Sequence, residues 1–143
     1  MNRAQKDAVF NLVVFSIAAL ITTAAIITLY CLFGWPKAAL GLAFISIGGL
    51  GGFSPLIFKK DAGAVTYDER DKLINRTAAL GGFAASYIWF CLTGTAFVML
   101  LTPELLKSFG LPLMIFGGLL VVFIVRSIML LVLYGRGGGD GGE

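Results

Sequence analysis

Residues 66–78 read Thr-Tyr-Asp-Glu-Arg-Asp-Lys-Leu-Ile-Asn-Arg-Thr-Ala, the only dense cluster of charge in the chain. The apolar sequence on either side of this cluster is about as long as a membrane hairpin, two helices of roughly 20 residues each. Thr66 and Glu69 have the S/T-x-x-E spacing of a capping box, so a helix is predicted to begin near Tyr67. The cluster therefore divides the chain into two hairpins and sets the start of the third helix.

The charges in this cluster suit a helix start, with one exception. Asp68, Glu69 and Asp71 fall in the first turn or so, where the positive end of the helix dipole favours acids. Arg70 opposes the dipole there by ~0.3–1 kcal/mol. Two interpretations of Arg70 stay open: a solvated arginine that reaches neighbouring acids, or a contact with a partner, another protomer or a lipid phosphate. These four residues are the candidate interaction site.

Asp68-Glu69-Arg70, Ile74 and Ala78 form the pattern D-E-R-x-x-x-I-x-x-x-A, which runs into an apolar segment. In this motif and in its hairpin layout the chain resembles a set of small uncharacterised prokaryotic multi-pass membrane proteins with a domain of unknown function. The resemblance implies a protein of three or four membrane helices and supplies no catalytic residues. In some of these families the gene lies beside that of a small helix-turn-helix regulator.

The composition predicts an all-α integral membrane protein. The chain is 58% hydrophobic and 13% charged, with a mean hydropathy of +0.92, whereas a soluble domain carries roughly 25% charged residues. Its 143 residues form one unit without room for a separate catalytic domain. The net charge of +3 does not indicate nucleic-acid binding, because the bases lie beside the apolar spans.

Four transmembrane helices are predicted, at about residues 8–33, 37–58, 75–101 and 109–134. Residues 59–74 are the predicted cytoplasmic loop, and the glycine-rich tail from residue 135 to 143 is predicted to be flexible. The third helix continues from the capped start, so it is expected to extend into the cytoplasm as one helix of more than thirty residues. Thr102-Pro103-Glu104 predicts a short interfacial turn before the fourth span.

The basic residues predict the orientation in the membrane. Three segments that four spans bring to one side carry eight bases, and the opposite side carries only Lys37 and Lys107. By the positive-inside rule the basic side is cytoplasmic, so both termini are cytoplasmic in the cell (inner) membrane. The eight bases are Arg3, Lys6, Lys59, Lys60, Arg70, Lys72, Arg76 and Arg136.

Small residues mark the predicted helix-packing faces. In the second span Gly48 and Gly52 form a small-xxx-small pair, and Gly41 lies one heptad earlier. Two interpretations of this glycine-rich span stay open: close helix packing, or an unwound segment whose backbone lines a binding cavity. In the third span Ala78 and Gly82 form a similar stripe. Tyr87 and Trp89, farther along the same span, are expected to pack in the core.

The chain offers no recognisable catalytic arrangement. It has no histidine, and no serine, cysteine or lysine lies in a nucleophile motif. We therefore expect no enzyme activity, no cofactor, no metal site and no disulfide between Cys31 and Cys91. Arg126 is the one ionisable residue well inside a span. Three roles stay open for it: snorkelling to the headgroups, pairing with Asp7 or a central-loop carboxylate, or lining an anion path.

Two functions from different classes remain compatible with the sequence. The first is a non-enzymatic module that binds the bilayer, itself or a protein partner and presents the charged start of the third helix to the cytoplasm. The second is a subunit of a small oligomeric transporter or channel, with the glycine-rich span and Arg126 facing a pore. Neither hypothesis involves nucleic acid.

Overall fold

The computed structural model describes residues 3–35, 37–57 and 69–136, and the elements in these ranges are all helical, which confirms the predicted all-α class. The predictions at Thr66, Tyr67 and Asp68 and those for the tail beyond residue 136 lie outside the described residues. In chain order the elements are α1 (Arg3–Phe33), a 310 helix (Lys37–Phe53), α2 (Ser54–Ile57), α3 (Glu69–Leu100), α4 (Pro103–Leu105), a π-helical turn (Leu106–Gly110) and α5 (Leu111–Arg136).

Helix α1 ends at a glycine cap. Gly34 has a φ of 67° and its N–H donates to the Tyr30 carbonyl at 2.9 Å. A residue with a side chain would be strained in this left-handed conformation, which reverses the chain into the next helix. Beyond it, the Trp35 ring lies 5.1 Å from the Tyr30 ring and 4.5 Å from the Phe109 ring. This aromatic cluster joins the end of α1 and the residue after its cap to the π-helical turn before α5.

The second apolar segment is a regular 310 helix of 17 residues. Its turn repeats every three residues, so side chains at i and i+3 eclipse each other, and glycine relieves the crowding. Buried positions are three residues apart at both ends of the segment, at Ala38 and Gly41 and again at Gly48, Gly51 and then Ser54 at the start of α2, whereas Leu42 is buried outside this repeat. The Ser46 hydroxyl likewise donates to the Ala43 carbonyl, three residues back, at 2.7 Å. The segment is therefore neither an α-helix nor unwound.

The 310 geometry keeps this helix in register with α1, against which it packs in the opposite direction. A Cβ atom added at Gly41 would lie 2.7 Å from the Ile26 nitrogen, and one at Gly51 would lie 2.6 Å from Asn11 Oδ1. The ten residue steps from Gly41 to Gly51 rise about 20 Å at the 310 spacing. The fifteen residue steps of α1 from Asn11 to Ile26 rise about 22 Å. An α-helix of the same ten residues would cover only about 15 Å and lose one of the two contacts.

The last helix follows a wide turn. Thr102 caps α4, since its hydroxyl accepts from the Leu105 N–H at 3.5 Å, and Pro103 occupies the first turn. The π-helical turn ends two residues before Pro112, which has no N–H and whose ring in a regular α-helix would clash with the carbonyl of Ser108, four residues earlier. The wider turn accommodates the proline, so the helical path continues into α5.

Helices α3 and α5 pack along most of their lengths through small residues. The buried positions of α3 are Ile74, Ala78, Gly82 and Ser86, each four residues from the last. A Cβ atom added at Gly82 would lie 2.8 Å from the Val122 carbonyl oxygen, so the two backbones nearly touch there. Ile74 and Ala78, both part of the D-E-R-x-x-x-I-x-x-x-A motif, pack with Ala8 of α1 and Leu130 of α5. The apolar residues of the motif are thus core residues.

Large apolar side chains cover the outer surface. Among the described residues, three helices are long and apolar enough to cross a membrane: Ala4–Phe33, Glu69–Leu100 and Pro103–Gly135. Tyr87, expected in the core, is 71% exposed on this surface, because the four-residue repeat of α3 turns Ser86 inward instead. Trp89 is half-buried, and its indole N–H donates to the Met114 carbonyl at 3.2 Å. The apolar exterior indicates a protein embedded in a membrane.

Candidate functional site

A long groove lies between three helices. Helix α1 packs extensively against both the 310 helix and α5, whereas the 310 helix and α5 touch each other only slightly. Helix α1 therefore forms the floor of the groove, and the other two helices form its walls. The groove has a volume of about 1210 Å³, above the roughly 300–1,000 Å³ of ordinary small-molecule pockets.

Most of the groove is apolar. Phe15 of α1 stacks on Phe123 of α5, with ring centroids 4.5 Å apart and the planes 3° from parallel. The same Phe15 ring lies against the 310 helix, 2.8 Å from where a Cβ atom would stand at Gly48. Absence of a side chain at Gly48 thus lets the 310 helix approach α1 closely. Gly49 and Gly52 also line the groove, and a Cβ atom at either position would meet nothing within 4 Å.

Polar side chains from several helices lie together at one end of the groove. Asn11 comes from α1, Ser54 from the start of α2, Asn75 from α3, and Arg126 and Ser127 from α5. Ser54 and Ser127 are only 5% and 4% exposed, so their hydroxyls face the groove from a packed setting. Asp7 lines the same end and has an interaction of its own. The groove is therefore polar at one end and apolar along the rest of its length.

Arg126 is the cation of this polar end. Its side chain is exposed. Its Cβ atom lies 3.3 Å from the position that an added Cβ atom would take at Gly82 of α3. Within the described ranges its guanidinium forms no ion pair and no hydrogen bond. Arg126 and Asp7 line the same groove without a direct ion pair between them. The guanidinium is thus available to an anion in the groove.

The start of α3 is the second candidate site. Glu69 and Arg70 are exposed, but Asp71 is half-buried and accepts a 2.8 Å hydrogen bond from the Tyr134 hydroxyl at the far end of α5. Asp71 thus has a structural contact, and its partner could not be predicted from the sequence. Asp68, the remaining candidate, lies outside the described residues.

The small residues singled out in the sequence fall in different settings. Gly41, Gly48, Ala78 and Gly82 are buried at helix contacts. Gly52 is exposed and close to nothing, because a 310 helix repeats every three residues and turns Gly51 toward α1 in its place. The close-packed pair is therefore Gly48 with Gly51 and not Gly48 with Gly52.

The polar end of the groove was missed in the sequence because its residues come from distant segments. The one available signal was the occurrence of two asparagines and several serines inside or beside apolar spans.

Cys31 and Cys91 are both free and exposed. Within the described ranges no group of three potential metal ligands forms.

These features describe a helical, membrane-embedded protein with an amphipathic groove. Comparison with protein-family models, with curated proteins and with solved structures finds no match to the chain. The resemblance carried by the Asp68 to Ala78 motif stays a prediction.

Proposed function

We propose that the chain is a four-span protein of the cell membrane, arranged as two hairpins with both termini in the cytoplasm. The 310 helix is the fourth span in this proposal. Its 17 residues rise about 34 Å at the 310 spacing, more than the ~30 Å of a bilayer core. An α-helix of the same length would reach only about 26 Å.

The distribution of charge supports this orientation. Lys6, Arg70 and Lys72 belong to the end of the molecule where Ala8, Ile74 and Leu130 pack together. Lys37 and Lys107 belong to the opposite end, near the aromatic cluster of Trp35 and Phe109. In this orientation α3 extends past the bilayer into the cytoplasm.

The proposed function is non-enzymatic binding of a protein partner, or of a second copy of the chain, at the exposed start of α3. The observation that carries it is the hydrogen bond between Asp71 and Tyr134. This bond fixes the first turn of α3 against α5, so Glu69 and Arg70 are presented on a braced helix and not on a fraying one. Arg70 is exposed at a position where the helix dipole disfavours it, and a role outside the fold explains that placement.

The test is crosslinking in native membranes, with a photoreactive residue at Glu69. We expect a crosslinked complex in the wild type and in Lys72→Ala, a matched loss of an exposed cation. Arg70→Ala should lose the complex while its unfolding free energy in detergent changes by less than about 1 kcal/mol. Unfolding or degradation of Arg70→Ala would instead make Arg70 a structural residue, and the docking proposal would fail.

A subunit of an oligomeric transporter or channel is the second candidate, favoured by the groove and its free cation. In that case Arg126→Leu should abolish anion flux in reconstituted vesicles while the protein still folds. Absence of flux in the wild type across a panel of small anions would count against it.

A further inference from the structure

We propose that the groove holds one membrane phospholipid, with its phosphate at Arg126 and an acyl chain along the apolar walls. This inference concerns a different part of the molecule from the start of α3, and it holds or fails independently of docking there. It follows from three properties of the groove: its length, its free cation and its open side.

The dimensions of the groove fit a lipid chain. The groove extends along α5 from Leu130 to Pro112, and its apolar part, from Arg126 to Pro112, covers fourteen residues or about 21 Å by helix rise, enough to hold one acyl chain. A lipid chain spans one leaflet, about half of the ~30 Å hydrocarbon core. The rings of Phe15, Phe116 and Phe123 line this stretch and offer only apolar contact. A small water-soluble anion would leave most of this surface uncovered.

The polar end of the groove fits a phosphodiester. An arginine guanidinium binds phosphate oxygens through paired, charge-assisted hydrogen bonds. Arg126 makes no ion pair among the described residues, so its five N–H donors are available. Asn11 and Asn75 add amide donors beside it, and the Ser54 and Ser127 hydroxyls face the same space. These neutral donors suit the ester oxygens that adjoin a lipid phosphate.

Access to the groove is lateral. The 310 helix and α5 barely touch, so the gap between them opens on the apolar outer surface of the molecule. In a bilayer that surface is occupied by acyl chains, and a gap of this size in hydrocarbon is filled by lipid and not by water. A phospholipid can therefore enter from its leaflet without crossing a barrier formed by the residues that the structure describes.

The test is native mass spectrometry of protein purified in mild detergent, with defined phospholipids added back. We expect one tightly retained phospholipid per wild-type chain. Arg126→Gln should lower the retained fraction about tenfold, the factor expected for loss of a charge-assisted hydrogen bond, whereas Arg126→Lys should keep most of it. Arg76→Gln is the matched control, because Arg76 is exposed and does not line the groove.

A second pair of variants tests the apolar part and keeps the proposal falsifiable if Arg126→Gln fails to fold. Gly49→Leu adds a side chain into the groove at a position with nothing within 4 Å and should displace the lipid. Gly135→Leu is its control, since that glycine is equally open but lies outside the groove. Equal lipid retention in Arg126→Gln or Gly49→Leu overturns the proposal. So does displacement by inorganic phosphate alone, or a dimer mass in place of bound lipid.

Discussion

The Tyr134 hydroxyl donates a 2.8 Å hydrogen bond to Asp71 Oδ1, joining the start of α3 to the end of α5 across 63 residues of sequence. The contact is half-buried and directly follows the exposed pair Glu69 and Arg70. It ties the first turn of α3 to the end of α5 and so contributes to how firmly that turn is held.

Tyr134→Phe should remove this hydrogen bond while keeping the ring in place. We expect the unfolding free energy to fall by about 0.5–1.5 kcal/mol, and amide exchange over residues 69–74 to accelerate more than exchange in the middle of α3. Hydrogen exchange in detergent measures both. In a double-mutant cycle with Asp71→Ala the two losses should be non-additive, and strict additivity would show that the bond contributes nothing.

Gly41→Ala should destabilise the protein, whereas Gly52→Ala should not. A Cβ atom at Gly41 would meet the Ile26 backbone at 2.7 Å, while one at Gly52 meets nothing within 4 Å. Backbone cannot rotate away as a side chain can, so we expect a loss of about 1–3 kcal/mol for Gly41→Ala. Chemical denaturation of the two variants side by side is the measurement. Equal effects would contradict the 310 register.

Thr22→Val should leave stability unchanged or raise it by about 1 kcal/mol. The Thr22 hydroxyl is 4% exposed and has no hydrogen-bond partner among the described residues, so an apolar isostere removes a desolvation penalty. Thr93→Val is the control, because the Thr93 hydroxyl donates to the Trp89 carbonyl at 2.6 Å. The control should be less stable than the wild type. A larger loss in Thr22→Val than in Thr93→Val would reveal a partner for Thr22.

Topology has a direct test. Reporter fusions after Phe58 and after the tail should both report the cytoplasm, as expected from the distribution of basic residues. Cys31 lies near the opposite end of the molecule and is exposed, so an impermeant thiol reagent added outside should label it. A periplasmic signal from either fusion would contradict the four-span arrangement.

The sequence predicted the helical class because hydropathy and length alone define apolar helices. It did not predict the 310 helix, because the sequence contains both the four-residue spacing of Gly48 and Gly52, which is typical of an α-helix, and a three-residue spacing. The three-residue spacing of Gly48, Gly51 and Ser54 was present, but only the contact with Phe15 selects it. The groove could not be predicted either, because it depends on which helices fail to meet.

The 310 conformation also makes this segment longer than an α-helix of the same residues. Each residue that converts from the 310 to the α conformation shortens the segment by about 0.5 Å, the difference between rises of 2.0 and 1.5 Å. Over the 17 residues from Lys37 to Phe53 the full range is about 8 Å. Bilayers of different organelles and compositions differ in thickness by a few Å. The contacts of Gly41 with Ile26 and of Gly51 with Asn11 would not both survive such a conversion, so the packing against α1 fixes the winding, and this segment keeps its length in thicker and thinner membranes.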